Sequence, residues 1–427
     1  LDSFLDQLNI PLIVVRAPYS ARNLKGAIRF KDLLQQVDIS MRPNDDSLIQ
    51  LADSIDIHDA GTILYTSGTT GNPKGVVLTH LGILTQMTNS EFLSAVQEKI
   101  QSLPEVPKLM DNQYQECILC VVPLFHGTGS HHNFLRSIVI GQKLVLMFKW
   151  DPEIALQLIE KERVTTWSGV PTMALDIIEH PSFEKYDTSS LLRIGAGGAP
   201  TPESQVKRTA ERFKNGLPTT AYGLTETNGA ICMNSTMNYI RKPTSCGVPF
   251  PVVEVKIVDI QSGKVLGPNQ RGELLIKSNL VMKEYWNKPE ATAKVLTEDG
   301  FFRSGDIATI DEDGFIYIVD RAKDIIIRGG ENISCTEVEH CIYSHPNVRE
   351  CAVFGIPDKR LGEEVGALIL LRDKSSCSSE EIVKFLKGKL ASFKIPRTHN
   401  IFFTTTPLPR GSTGKIMKRT IKEKILA

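Results

Sequence analysis

Between residues 65 and 75 the chain reads Tyr65-Thr66-Ser67-Gly68-Thr69-Thr70-Gly71-Asn72-Pro73-Lys74-Gly75. Four hydroxyl side chains (Thr66, Ser67, Thr69, Thr70) and three glycines (Gly68, Gly71, Gly75) crowd this segment together with Lys74. Glycines let backbone N–H groups close on an anion, the hydroxyls add donors and the lysine adds charge, so the segment has the chemistry of a phosphate cradle. It is not a Walker A loop. That loop has glycine before its lysine and Ser or Thr after it, whereas Lys74 is flanked by Pro73 and Gly75. ATPases and GTPases of the motor type are therefore disfavoured. A strand-like Ile63-Leu64-Tyr65 precedes the loop, and a helical pattern over residues 79–100 is expected to follow it.

Seven further segments appear in order. They are Pro123-Leu124-Phe125-His126-Gly127-Thr128-Gly129, Gly197-Gly198-Ala199-Pro200, Tyr222-Gly223-Leu224-Thr225-Glu226-Thr227, Gly272-Glu273-Leu274, Arg303-Ser304-Gly305-Asp306, Asp320-Arg321-Ala322-Lys323-Asp324 and Pro409-Arg410-Gly411-Ser412-Thr413-Gly414-Lys415. With the loop, they cover nearly the whole chain. The set resembles the adenylate-forming superfamily of acyl-CoA synthetases, peptide-synthetase adenylation domains and firefly luciferases, and most of all the fatty-acid-type acyl-CoA ligases.

The resemblance implies ATP, Mg2+ and coenzyme A as cofactors and a small-molecule carboxylic acid as partner. The acid is activated as acyl-AMP with release of pyrophosphate, and CoA then displaces AMP. Thr66, Ser67, Gly68, Thr69, Thr70, Gly71 and Lys74 would hold the phosphates. Tyr222 offers an aromatic face to adenine, with Gly223 beside it, and Gly197, Gly198, Ala199 and Pro200 form a narrow turn against the purine. Thr225 would bond the α-phosphate. Glu226 supplies a hard oxygen for Mg2+, which needs few carboxylates when phosphates provide the rest. The two oxygens of Asp306 suit the two ribose hydroxyls, and Arg321 is a second ribose or phosphate contact.

Lys415 is the expected principal catalytic residue, because a lysine bridging carboxylate and α-phosphate offsets the repulsion of two anions. Thr225, Glu226 and His126 complete the expected catalytic set, with His126 lining or gating the acyl pocket rather than acting as a base. In the family the lysine rides on a mobile domain. Motif alignment makes Lys323 its hinge, and Gly329 and Gly330 would line a tunnel for the pantetheine arm.

Phe125-His126-Gly127-Thr128-Gly129 contains no acid to hold a substrate α-amine, and burying an ammonium without a counter-charge is costly. A simple carboxylic acid follows, aliphatic or aryl-aliphatic, and the resemblance implies one of the medium- or long-chain fatty type. The pocket walls are expected at His126, Trp167, Val170, Gly195 to Gly197, Gly223 and Thr227. Competing readings are a different acceptor (carrier-protein loading or luciferase-like oxidation) and a non-catalytic nucleotide-binding protein. The family's large domain has a substantial segment before the phosphate loop, so part of the first subdomain is expected to be missing here.

Elements must position these residues. From about residue 60 to 222, short apolar runs alternate with helical patterns, which argues for an α/β fold with a mostly parallel, helix-covered sheet. Strands are expected at Cys117–Val122, Lys143–Met147, Val164–Trp167 and Leu191–Ile194. Asp151-Pro152 and Thr201-Pro202 each read as a cap with proline in the first turn. Residues 241–322 alternate like antiparallel strands, a small barrel or sheet. Residues 323–427 read as a small mobile α+β domain, with helices near 337–343 and 379–390, strands near 350–355 and 365–371, and a basic end. The expected division is thus 1–322 (1–240 and 241–322) and 323–427.

The bulk properties agree. The 427 residues carry 49 basic and 49 acidic side chains, so no basic excess points to nucleic acid. No apolar run is long enough for a transmembrane segment. Eight scattered cysteines suggest a reduced, cytoplasmic or otherwise intracellular setting. Cys117 and Cys120 form a lone C-x-x-C in an apolar run and are expected to be core thiols.

Overall fold

A computed structural model describes residues 12–14, 27–29, 50, 52–66, 73–101, 114–199, 201–322, 324–373, 375–411 and 414–426. The chain divides into two units, residues 1–56 and 57–427. In the first, β1 (Leu12–Val14) and β2 (Ala27–Arg29) pair in parallel.

The second unit opens with an antiparallel hairpin of β3 (Ala60–Thr66) and β4 (Lys74–Thr79). Residues 67–72 between them, including Ser67, Gly68, Thr69, Thr70 and Gly71, lie outside the described residues. The phosphate loop therefore leads into a strand, and the helix expected over residues 79–100 follows it. The reason is the run Val76-Val77-Leu78, buried throughout, since β-branched residues favour a packed pleated surface. Helix α1 (His80–Gln101) begins only after it.

The central sheet contains β5 (Cys117–Cys120), β6 (Lys143–Leu146), β7 (Thr166–Gly169), β8 (Arg193–Ala196), β9 (Leu217–Leu224), β10 (Gly229–Ser235) and β11 (Val248–Pro249). Its order is β11-β10-β9-β8-β7-β5-β6. Strands β6 to β9 along that order are parallel, and β10 and β11 join antiparallel. Helices α2 (Pro152–Glu162), α3 (Pro171–Ile178) and α4 (Glu203–Arg212) connect them. The Asp151 carboxylate caps α2 by accepting the N–H groups of Glu153 and Ile154, both at 3.0 Å. At α4 the parallel expectation fails: Pro202 is the flanking residue and no side chain caps the helix. Leu119, Leu156, Ile159, Trp167, Ile177 and Ile194 pack between sheet and helices, each contributing on the order of 1.5–3 kcal/mol by burial.

The β-rich part holds β12 (Glu254–Val258), β13 (Gly272–Lys277), β14 (Glu284–Tyr285), β15 (Phe302–Ile310) and β16 (Ile316–Arg321). Strands β12-β13-β15-β16 form an antiparallel sheet. Of the barrel or sheet expected, it is an open sheet, and four strands are too few to curl round and pair their ends. Strand β14 leaves it to pair with β4.

The last part comprises β17 (Ile326–Arg328), β18 (Glu331–Ile333), α5 (Cys335–Tyr343), β19 (Val348–Asp358), β20 (Gly362–Leu371), α6 (Ser379–Leu386), β21 (Ile401–Thr404) and α7 (Lys418–Leu426). Ile333, Val338, Ile342, Val353, Ile369 and Leu386 give it a core of its own. Lys323, the expected hinge, lies outside the described residues. All eight cysteines are free thiols, and Cys117 and Cys120 are buried in β5. No helix among the described residues is long and apolar enough to cross a membrane.

Candidate active site

Residues of β9, β15 and β16 come together at one site. The Tyr222 hydroxyl donates to Asp306 Oδ2 at 2.5 Å. Asp306 is only 2% exposed, and its Oδ1 lies 3.1 Å from Arg321 Nε. Asp306 and Arg321 face each other in the β15–β16 register, so the pair is a product of strand pairing. Burial first, and the Asp306 carboxylate next, push the Tyr222 phenol well above its ordinary range, which keeps it a donor. Tyr222, Asp306 and Arg321, expected separately as adenine and ribose contacts, are thus one bonded group.

Gly197, Gly198 and Ala199 follow β8, while Pro200 lies outside the described residues. Gly198 has φ +77°, and a Cβ there would stand 3.0 Å from Lys415 Cε and 3.5 Å from its Nζ. The glycine thus makes room for the expected catalytic lysine. Gly223 is glycine for a different reason: a Cβ would meet the Gly229 carbonyl at 1.8 Å, where β9 and β10 close together.

Thr225-Glu226-Thr227 forms a short helical turn after β9. Thr227, expected in the pocket wall, is instead fully buried as the lock of this turn. Its hydroxyl accepts the Leu224 N–H at 2.9 Å and reaches the Gly229 carbonyl at 2.8 Å. Trp167, also expected in the wall, is withdrawn into the core, where it stacks on Trp150 at 5.8 Å. Both corrections have one cause: sheet packing claims the side chains that point away from the cleft. Glu226 Oε1 accepts the Tyr285 hydroxyl at 2.8 Å, and Lys74 Nζ lies 4.5 Å from the centre of the Tyr285 ring. Nothing in the motifs singled out Tyr285. Its sequence sign is only an aromatic pair, Tyr285-Trp286, before the turn residue Asn287.

Among the described residues no group of three or more His, Cys, Asp or Glu side chains could hold a metal ion by itself. One carboxylate beside the phosphate-loop lysine fits a Mg2+ that arrives on a nucleotide, because phosphate oxygens and water complete its shell.

Lys415 comes from the far end of the chain. Its carbonyl accepts the Gly411 N–H at 2.9 Å. The Arg410 guanidinium donates to the Gly414 carbonyl at 2.7 Å and pairs with Glu350 at 2.9 Å. Arg410 therefore pins the loop to β19. Surrounding protein and then Arg321 lower the pKa of the ammonium, while Asp306 and Glu226 act the other way. Lys415 nevertheless keeps access to solvent, which is the setting of a cleft and not of a core. Arg372–Glu179 at 2.5 Å and Arg349–Asp176 at 3.5 Å join this part of the chain to α3 and its C-terminal end.

His126 is half-buried, and its Nδ1 accepts the Thr128 N–H at 3.2 Å. Burial, then the Lys415 ammonium, lower its pKa to about 4. With Nδ1 accepting, the neutral imidazole carries its proton on Nε2. Gly329 and Gly330 stand in the exposed turn between β17 and β18, where the Gly329 N–H donates to the Leu361 carbonyl at 2.7 Å.

Tyr222, Asp306 and Arg321 are bonded together, Glu226 and Lys74 share the Tyr285 side chain, and Lys415 lies against Gly198. The chain belongs to the AMP-binding enzyme family: the family model matches residues 16–286, and that of the AMP-binding enzyme C-terminal domain matches residues 337–415. It is 37% identical to a long-chain-fatty-acid–CoA ligase of Bacillus subtilis over 86% of this chain and 62% of that protein. It is also 37% identical to a feruloyl-CoA synthase of Amycolatopsis over 87% of this chain and 71% of that one. Among solved structures, o-succinylbenzoate coenzyme A synthetase of Bacillus subtilis, in complex with ATP and a magnesium ion, superposes with a TM-score of 0.72 at 31% identity, covering 86% of this chain and 71% of its own. The chain thus spans about 62% of the length of the Bacillus fatty-acid ligase.

Proposed function

We propose that the chain acts as an AMP-forming acid–thiol ligase, which makes acyl-AMP from a carboxylic acid and ATP and then passes the acyl group to coenzyme A. The observation that carries this reading is the place of Lys415. Its side chain lies against Gly198 and within the fields of Asp306, Glu226, Arg321 and His126. A lysine there faces both the α-phosphate and the incoming carboxylate and stabilises the charge of the transition state. Thr225 and the phosphate loop, residues 66–71 with Lys74, hold the phosphates. Glu226 would hold Mg2+, which neutralises phosphate charge when bound. Tyr222, Asp306 and Arg321 take the adenosine, with Gly197 to Pro200 on the purine's other side.

The acid is a simple one without an α-amine, because the His126 motif contains no acid to hold an ammonium, and the likeness to fatty-acid ligases supports a medium- or long-chain acid. Residues 323–427 form the moving domain, with Lys323 as hinge and Gly329 and Gly330 toward the pantetheine arm. The free thiols are consistent with an intracellular compartment.

The test is ATP-dependent pyrophosphate release across short, medium, long and aromatic acids, with and without CoA. Release together with a CoA thioester supports the reading and names the acid. Acyl-AMP that accumulates despite CoA would assign another acceptor. No release with any acid would leave a nucleotide-binding protein.

A further inference from the structure

Tyr285 is 4% exposed and meets two opposite charges at different places. Its hydroxyl donates to Glu226 at 2.8 Å, and its ring carries the Lys74 ammonium 4.5 Å from its centre. No ion pair joins Lys74 and Glu226 directly among the described residues. The strand that holds the ring is short but tied at several points. Tyr285 pairs with Val76, and the Trp286 N–H donates to the Gly75 carbonyl at 2.7 Å. The Tyr285 N–H donates to Thr292 Oγ1 at 2.9 Å. The Met282 N–H donates to the Glu226 carbonyl at 2.8 Å. One segment is therefore bonded both to the exit of the phosphate loop and to the turn bearing the expected metal ligand.

We propose that Tyr285 is a positioning residue for the metal–nucleotide complex. Its hydroxyl occupies one oxygen of Glu226 and so orients the carboxylate. Its ring face holds Lys74 by cation–π attraction and keeps the ammonium from neutralising that carboxylate. The two groups that receive the charges of Mg2+ and the phosphates are thus set by a single side chain. This inference rests on the reading of Glu226 as the Mg2+ ligand.

The experiment is calorimetric titration of the 427-residue protein with ATP, once with Mg2+ and once with a chelator. Tyr285→Phe keeps the ring, and it is expected to lose about ten-fold of the affinity gained from Mg2+, the usual size of one hydrogen bond to a charged group. Its chelator affinity stays at the wild-type value. Glu226→Gln should lose the same gain, and the double variant should lose no more, because the two act as a unit. Tyr285→Leu removes the ring as well and should weaken metal-free ATP binding too. Tyr285→Phe with an undiminished Mg2+ gain would overturn the inference, as would equal losses with and without Mg2+, which mark a merely structural role. Wild-type protein that binds ATP without any Mg2+ gain would overturn the Glu226 reading itself and the inference with it.

Discussion

The Tyr222–Asp306–Arg321 wall and the Lys415 loop meet across one cleft, but different forces hold them. The wall is a by-product of strand register: β15 and β16 place Asp306 opposite Arg321, and burial makes the Tyr222 bond obligatory. The loop belongs to none of the named sheets among the described residues and closes on itself through one antiparallel bridge, Arg410 to Ile416. It is fastened by Arg410 to Glu350 and to its own Gly414 carbonyl, while Arg372 and Arg349, elsewhere in the same part of the chain, pair with Glu179 and Asp176 at α3. A wall built by register is rigid and suits binding. A loop held mainly by its own bonds and by Arg410 fits the proposal that Lys415 serves one of two steps.

The sharpest way to break that contrast is Lys415→Ala. Pyrophosphate release should fall by roughly 10²–10³-fold, the usual loss when a charge aimed at the transition state is removed. ATP affinity should change little, and thioester formation from supplied acyl-AMP should survive. Equal loss in both half-reactions would show that the loop serves the whole cleft.

Asp306→Asn attacks the other side. It keeps the shape but removes the charge, and KM for ATP should rise by about ten-fold, as expected for a hydrogen bond to a charged group. The maximal rate should move less than in Lys415→Ala. Steady-state kinetics with varied ATP separates the two variants, and a pure rate effect would undo the assignment of the wall to binding.

Arg372→Ala loosens the ion pair with Glu179 (side chains 33% and 26% exposed) that accompanies the lysine in the cleft. Partly exposed pairs contribute only about 0.2–1 kcal/mol. Adenylation should therefore slow by about two- to five-fold, and added salt should slow the wild type in the same direction. A rate insensitive to both would mean that the ion pair does not hold the docked arrangement.

The smallest effect concerns pH. His126 has its pKa lowered to about 4, against an ordinary value of 6.5. Between these values the unfolded chain takes up a proton that the folded chain refuses. Its contribution to stability is therefore full above pH 6.5 and declines as pH falls toward 4. Histidine resonances followed by NMR should show His126 titrating near 4, and the rate profile should have no limb at 6.5 traceable to it. A titration near 6.5 would reopen its role as a base.

Much of this was legible in the chain itself. The order of motifs, the alternation of apolar runs in the first half and the change to antiparallel texture after residue 241 follow from local patterns, and the parallel sheet, the open β-sheet and the Asp151 cap are where those patterns put them. Lys415, Glu226, Tyr222 and Asp306 are recognisable because each sits in a motif whose composition has a chemical reason. The failures have reasons too. Trp167 and Thr227 lie in or next to a motif or pocket position, but which face a strand or turn buries depends on the neighbouring layer. Thr201 precedes a proline as Asp151 does, yet α4 starts without it.

What sequence alone determines here is the kind of groups available: a phosphate-binding loop, single carboxylates at Glu226 and Asp306, and a lysine in a glycine-rich loop near the C-terminus. Spacing along a chain carries that information because each motif is local. Which groups touch is a matter of long-range pairing. Tyr285 reaches Glu226 only because β14 leaves its neighbours to pair with β4. Lys415 reaches Gly198 only because a glycine at positive φ leaves the space open. Contacts across that many residues are chosen by register and packing, and no local pattern encodes them.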